Sequence, residues 1–297
     1  MKDTILTLDR IHGKKNNLYY HSFINTNRFN NNLRLCSNHP QRLNRVVPSP
    51  LSLQGGVGGK NNYFLFRVTN QKLYYHISNI RAINRIGPHN EDILSVIIGS
   101  ILGDAYASNR TGEGVRICYR QSIQHREYLF WLYTFYYSRG YCSNLPPRQY
   151  TRTLLNKAGK EYYGYEFNTF TFRSLSWVHK MFYKNGTKVI PLNISEYLTP
   201  LALAVWIMDD GGWVNCGVRI ATNSFELKEV ELLNSVIKSK YNLETTIQKI
   251  WIKDKYSIYI KKQSIIKLRS IVGPFIHSSM LYKIGSAPRP RGLDNTN

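Results

Sequence analysis

Apolar and polar positions along this chain organise only after Gly87. EDILSVIIGSILGD, residues 91–104, is apolar on nearly every face and predicts a buried helix. A turn near Thr111–Gly114 follows, then VRICYRQSI, which alternates like a strand. HREYLFWLYTFYYSRG predicts a helix that ends at Gly140, YYGYEFNTFTFR a strand, and SLSWVHKMFYKNG a helix stopped at Gly186.

The order then starts again. SEYLTPLALAVWIMDD, residues 195–210, predicts a second buried helix with Pro200 near its start. GVRIATNSF reads as a strand. SFELKEVELLNSVIKSKY reads as a helix with Ser224 as its cap and, because Leu227 stands three residues on, no capping box. ETTIQKIWI and YSIYIKK form a predicted hairpin turning near Lys253–Lys255, and SIIKLRSIVGPFI closes as a helix. The succession helix, strand, helix, strands, helix occurs twice, with a period too long for a solenoid. Two related half-domains are therefore expected at 87–193 and 194–286, with a tail at 287–297. Residues 1–86, rich in Asn, Arg and Gly and poor in periodicity, read as a poorly ordered basic extension.

Charge narrows the partner. The chain has 297 residues, 40 Lys and Arg against 18 Asp and Glu, a net charge of +22, and a pI near 9.8. Such an excess calls for a polyanion, and nucleic acid fits better than a membrane surface or an acidic protein. Cys36, Cys118, Cys142 and Cys216 form no C-x-x-C pair, which argues against a zinc or redox site. No apolar stretch approaches a membrane span, and no P-loop, H-E-x-x-H or G-x-S-x-G pattern occurs.

The chemistry lies where the two apolar helices end. Gly99 and Gly103 share one helical face, which allows another helix to approach closely. Asp104 follows. The second helix ends at Asp209 and Asp210, then Gly211 and Gly212. A carboxylate at a helix C-terminus opposes the helix dipole, and two such groups side by side would also repel each other. A divalent cation between them would relieve both conflicts.

VIIGSILGDAY and LALAVWIMDDGG resemble the two signature helices of single-chain LAGLIDADG homing endonucleases, the second in the W-x-M-D-D-G-G form of the intron-encoded organellar subfamily. Val205 stands where the second signature helix usually has glycine. The resemblance spans about residues 88–285. It implies an α+β fold of two pseudo-symmetric halves, each an antiparallel sheet backed by helices, packed through the signature helices over DNA. It also implies cleavage of both strands across the minor groove, leaving short 3′ overhangs.

Several residue roles follow from that resemblance. Asp104 and Asp210 would hold divalent metal, Mg2+ by preference, with the carbonyls of Gly103 and Asp209. Lys188, in NGTKVIP, and Lys283, in SMLYKIG, would be the basic residues of the two centres. Gln121 and Asn223 are the nearest polar matches on the strand after each signature helix.

Alternation along the strands supplies DNA-reading candidates: Arg116 and Arg120 on one strand face, Lys255, Ser257, Tyr259 and Lys261 on another, and Arg219. Arg148 and Arg152 fall in a loop and would touch phosphate. The partner expected is double-stranded DNA, bound by a monomer, with the chain's own intron RNA as a further partner. A maturase that binds group I intron RNA remains the alternative function, and a structural protein of an organellar ribonucleoprotein a third. Composition rich in Asn, Ile, Tyr and Lys points to a mitochondrion ahead of a plastid.

Overall fold

The structure, a computed structural model, describes residues 81, 84–85, 87–109, 114–154, 160–250 and 254–289. The N-terminal extension through position 80, most of the turn at 110–113, the hairpin tip at 251–253 and most of the C-terminal tail lie outside the described residues.

The first half begins with helix α1, Glu91–Leu102, in which nine residues from Ile93 to Leu102 are buried. After it come strands β1 (Tyr106–Ser108) and β2 (Arg116–Ser122), helix α2 (Arg126–Ser138), strands β3 (Arg148–Leu154) and β4 (Lys160–Asn168), and helix α3 (Ser176–Phe182). A hairpin of β5 (Tyr183–Lys184) and β6 (Thr187–Lys188) turns on Asn185 and Gly186, both at positive φ. The helix expected to run to Gly186 therefore stops at Phe182, because the Asn-Gly pair favours a tight turn.

The second half opens with a four-residue helix, α4 (Ile194–Tyr197), and then α5, Pro200–Asp210. The single helix expected over 195–210 is thus broken. The side chain of Thr199 caps Ala202 N at 3.1 Å, and Pro200 occupies the first turn, where no N–H is needed. Strands β7 (Gly211–Val214) and β8 (Gly217–Ala221), helix α6 (Leu227–Tyr241), strands β9 (Thr245–Lys249) and β10 (Tyr256–Ile260), and helix α7 (Ile265–Val272) repeat the first half element for element. Helix α6 starts two residues beyond the expected Ser224 cap. Glu226 is its N-cap and forms a reciprocal capping box with Glu229, whereas the sequence reading, with Ser224 as cap, expected no box.

The two sheets have matching topology, β1-β2-β4-β3 and β7-β8-β10-β9, with every neighbour antiparallel. Strands β1 and β7 escaped the sequence reading: each is short and follows the signature helix almost directly. Inward residues Ile117, Tyr119, Val218, Ile220, Ile258 and Ile260 pack on the helices. Among the described residues no helix is long and apolar enough to cross a membrane.

The halves meet through α1 against α5. A Cβ on Gly99 would lie 2.4 Å from the carbonyl oxygen of Ala202 and 2.8 Å from Cβ of Val205. Val205, the departure from the signature glycine, fills the space that Gly99 leaves. One turn on, Gly103 leaves room for Asp209. At the other end Thr199 Oγ1 donates to Ser95 Oγ at 2.7 Å.

This packing makes a stability prediction. Gly99→Ala should cost about 1–3 kcal/mol by overpacking, even though alanine is the better helix former by about 1 kcal/mol. Gly212→Ala, where a Cβ meets nothing within 4 Å, should stay within about 0.5 kcal/mol of the parent. Urea unfolding of the two variants measures the contrast, and equal costs would show that the helix contact is not close-packed.

Candidate active site and nucleic-acid interface

The parallel ends of α1 and α5 set three carboxylates together. Asp104 is exposed just beyond α1, and Asp209 and Asp210 are partly buried at the end of α5. Asp209 is the most enclosed by polar partners. Its Oδ1 accepts from Tyr128 Oη at 2.8 Å and from Gln121 Nε2 at 3.5 Å, and its Oδ2 accepts from Asp104 N at 3.4 Å. Burial, then the charges of Asp104 and Asp210, hold the Asp209 carboxyl well above the usual carboxylate range. Burial and Asp104 push Asp210 up to about 7, against the opposing pull of Lys283 and Lys188.

Each half supplies a lysine to its own signature helix, Lys188 partly buried and Lys283 buried. Lys188, on the return strand of the Asn-Gly hairpin, donates to the carbonyls of Ile101 at 2.7 Å, Gly103 at 3.2 Å and Ala105 at 3.3 Å. Lys283 lies in the 3-10 helix Ser278–Ile284 and donates to the carbonyls of Met208 and Asp209, the latter at 2.7 Å. The ammonium groups thus satisfy the unpaired carbonyls at the negative ends of both helices. Burial lowers both lysine pKa values, and the neighbouring aspartates oppose that shift.

The polar residue of the first half is also in place. Gln121 projects inward from β2 and its Nε2 donates to Asp104 Oδ2 at 2.7 Å. Asn223 is not brought to the centre: it is exposed in the turn after β8. Register explains the difference. Gln121 on β2 and Thr222, the residue just after β8, are the buried counterparts, one residue off the spacing that matched Gln121 with Asn223, and a shift of one residue reverses the face. Thr222 is buried and donates to Tyr256 O at 2.7 Å. The two centres are therefore unequal.

Residues missed from the sequence complete the site. Tyr128, first-turn residue of α2, reaches Asp209. His125, four residues after Gln121, has Nδ1 3.2 Å from Gln121 Oε1 and Nε2 3.2 Å from the hydroxyl of Tyr282. Burial, then Lys283, pushes the His125 pKa down to about 4. The spacing QSIQH and the neighbour of Lys283 were visible in sequence, but nothing in the pattern showed that they meet.

The oxygen-only donor set fits a hard divalent cation. Asp104, Asp209 and Asp210 cluster beside the terminal carbonyls of Gly103 and Asp209, the charge of Asp104 helps to raise the pKa of the other two, and added positive charge would relieve that repulsion. Among the described residues no group of three or more His, Cys, Asp or Glu is arranged to hold a metal ion by itself.

The sheet faces opposite the core carry the basic candidates. Arg148 and Arg152 lie in strand β3, not in a loop, at registers opposite Glu166 and Tyr162. Arg120 is opposite Glu166 from the other side. Glu166, 5% exposed, forms ion pairs with both Arg120 and Arg148, so one acid orders two arginines across three strands. Arg116 and Arg219 each hold a buried Nε–H without an acceptor among the described residues, a donor that an added phosphate or base could satisfy. In the second sheet Ser257 is buried, Lys261 pairs with Glu244 at 3.5 Å, and the Tyr259 hydroxyl donates to Asn215 O at 3.0 Å and Val214 O at 3.3 Å. Tyr259 therefore offers its ring more than its hydroxyl. Lys255 borders the hairpin tip.

Duplicated half-sheets joined at glycine-bearing helices that end in acids define a DNA endonuclease fold. The LAGLIDADG DNA endonuclease family model matches residues 94–268, and the chain belongs to that family. It is 51% identical over 156 residues to intron-encoded endonuclease ai4 of Dictyostelium discoideum, covering 52% of this chain and 98% of that protein. It is 39% identical over 206 residues to cytochrome b mRNA maturase bI2 of Debaryomyces hansenii, covering 69% and 78%. The Saccharomyces cerevisiae maturase bI2 is 39% identical over 237 residues, and the match spans 53% of it. Among solved structures, the homing endonuclease I-WcaI bound to its DNA recognition sequence superposes with a TM-score of 0.59 at 25% identity, covering 66% of this chain and 86% of that one.

Two outcomes follow from the electrostatics. Asp210 ionises near pH 7 when folded and near 3.8 when unfolded, so between those values the folded state retains a proton that the unfolded state has lost. Metal-free stability therefore falls as pH rises through that window. Asp210→Asn should raise the melting temperature at pH 8 and leave it unchanged near pH 4; calorimetry showing no gain at pH 8 would contradict the assigned repulsion. Glu166→Gln should tighten binding to random-sequence DNA and steepen its salt dependence, because two arginines lose their internal counter-charge. Fluorescence anisotropy across a salt series reads this effect, and an unchanged slope would remove Glu166 from the interface.

Proposed function

We propose that this chain is an intron-encoded homing endonuclease that hydrolyses both strands of a specific double-stranded DNA site with divalent metal, Mg2+ by preference. The observation that carries this reading is the duplicated helix end: Asp104 and Asp210 side by side, each with its own lysine on the terminal carbonyls. Asp104 and Asp210, with the carbonyls of Gly103 and Asp209, would hold the metal. When bound, divalent metal activates water and offsets charge on the departing oxygen. Lys188 and Lys283, fixed at the helix ends, place positive charge beside the scissile phosphates without needing to reorganise. Gln121 holds its amide against Asp104, where it can orient a water. Arg116, Arg120, Arg148, Arg152, Arg219 and Lys255 supply phosphate and base contacts from the two sheets.

A second reading rests on the two maturase relatives: the chain also binds its own intron RNA and assists splicing. RNA binding needs none of the carboxylates, so the two activities are separable. The maturase names agree with a mitochondrial location. Both motifs in one chain make a monomer sufficient.

Cleavage assays on a selected target test the reading. Asp104→Asn or Asp210→Asn should abolish double-strand cutting and leave DNA affinity within a few fold, and intron RNA binding should survive both changes. Lys188→Met and Lys283→Met should each slow one strand by roughly 10²–10³-fold and accumulate nicked plasmid, on opposite strands. Normal cutting by either aspartate variant would reject the active site; equal slowing of both strands by the lysine variants would make them general DNA contacts.

A further inference from the structure

Gln121 is held from both ends, and the hydrogen-bond directions along that line are fixed. The Gln121 amide nitrogen donates to Asp104 Oδ2 at 2.7 Å. Its carbonyl Oε1 then faces His125 Nδ1 at 3.2 Å, and because two acceptors cannot bond, Nδ1 carries the ring proton. The neutral ring leaves Nε2 bare, and at 3.2 Å it accepts from the Tyr282 hydroxyl. Every donor points the same way: Tyr282 to His125, His125 to Gln121, Gln121 to Asp104. The line also crosses between the repeats. Tyr282 precedes Lys283 in the second half, and Asp104 and Gln121 belong to the first.

We propose that His125, backed by Tyr282, is a positioning residue for the first centre, where its Nδ1–H holds the Gln121 amide in the orientation that faces Asp104. This rests on the endonuclease reading given above. The physical need would arise once Asp104 held a cation, since its carboxylate oxygens would then be shared and the inner bond of Gln121 would be weaker. The outer bond to His125 is then what keeps the amide from rotating. The second half has no equivalent, since Thr222 occupies the matching register and is bonded to the backbone of β10. The device therefore acts on one centre and one strand.

Two measurements test it on the full chain. In the metal-free protein, long-range proton–nitrogen NMR should show His125 as the Nδ1–H tautomer, and Gln121→Ala should shift it toward the commoner Nε2–H form. An Nε2–H tautomer in the parent protein would overturn the proposal whatever the activity. In strand-specific cleavage with Mg2+, His125→Ala should slow the same strand as Gln121→Ala, by roughly 10–100-fold as for other residues that orient a metal-centre group, with unchanged DNA affinity. His125→Asn, whose side-chain amide can present a donor near the Nδ1 position, should recover most of that rate; His125→Gln should not. Tyr282→Phe should slow the same strand less. If His125→Ala lowers thermal stability but leaves the strand ratio of the parent well below its melting point, His125 is only structural and the proposal fails. If the parent cuts neither strand of any selected site, the endonuclease reading fails instead, and the tautomer still decides the geometry.

Discussion

Everything in this protein depends on how closely α1 and α5 approach. Gly99 on α1 and Gly103 at its C-cap leave no room for a Cβ, because the Ala202 carbonyl and Val205 lie against the first and the Asp209 side chain against the second. The contact is asymmetric in sequence and complementary in shape. Because the helices run to their C-termini side by side, it also brings three carboxylates and two negative dipole ends into one place. A packing constraint thereby becomes an electrostatic one.

The chain answers that strain with its own groups first. Lys188 and Lys283 arrive from outside the signature helices, by a hairpin in one half and a 3-10 helix in the other, and bond to the same kind of terminal carbonyls. Different local structures thus deliver one charge to equivalent points. Repulsion among Asp104, Asp209 and Asp210 remains, visible in the raised pKa values of the last two. A site left short of positive charge in this way is suited to a hard cation and, beyond it, to a phosphate.

The two halves share topology but not detail. Gln121 meets Asp104, whereas its register partner Thr222 turns to the backbone; Glu166 binds two arginines, whereas Arg219 holds an unpaired donor. On the proposed endonuclease reading, such differences would let each sheet face different bases of an asymmetric DNA sequence. The wider set of relatives, endonucleases and maturases alike, is compatible with one scaffold whose sheet faces and carboxylates serve separable tasks.

The sequence by itself determined the repeat, the two apolar helices and the acids at their ends, while Lys188 and Lys283 came only through the family resemblance. The first three are legible because burial on all sides and a charge at a helix end leave local marks in composition and spacing. The sequence also put Arg116 and Arg120 on one strand face through simple alternation, and both sit away from the core. Only the tertiary structure decided which buried residue at the end of β8 matches Gln121, that Arg148 and Arg152 lie on a strand beside Glu166, that Glu226 and not Ser224 caps α6, and that His125 and Tyr282 meet across the halves. The physical reason is common to all four. Strand register, cap choice and long-range hydrogen bonds are set by small energy differences between neighbouring alternatives, and only packing against distant parts of the chain selects among them.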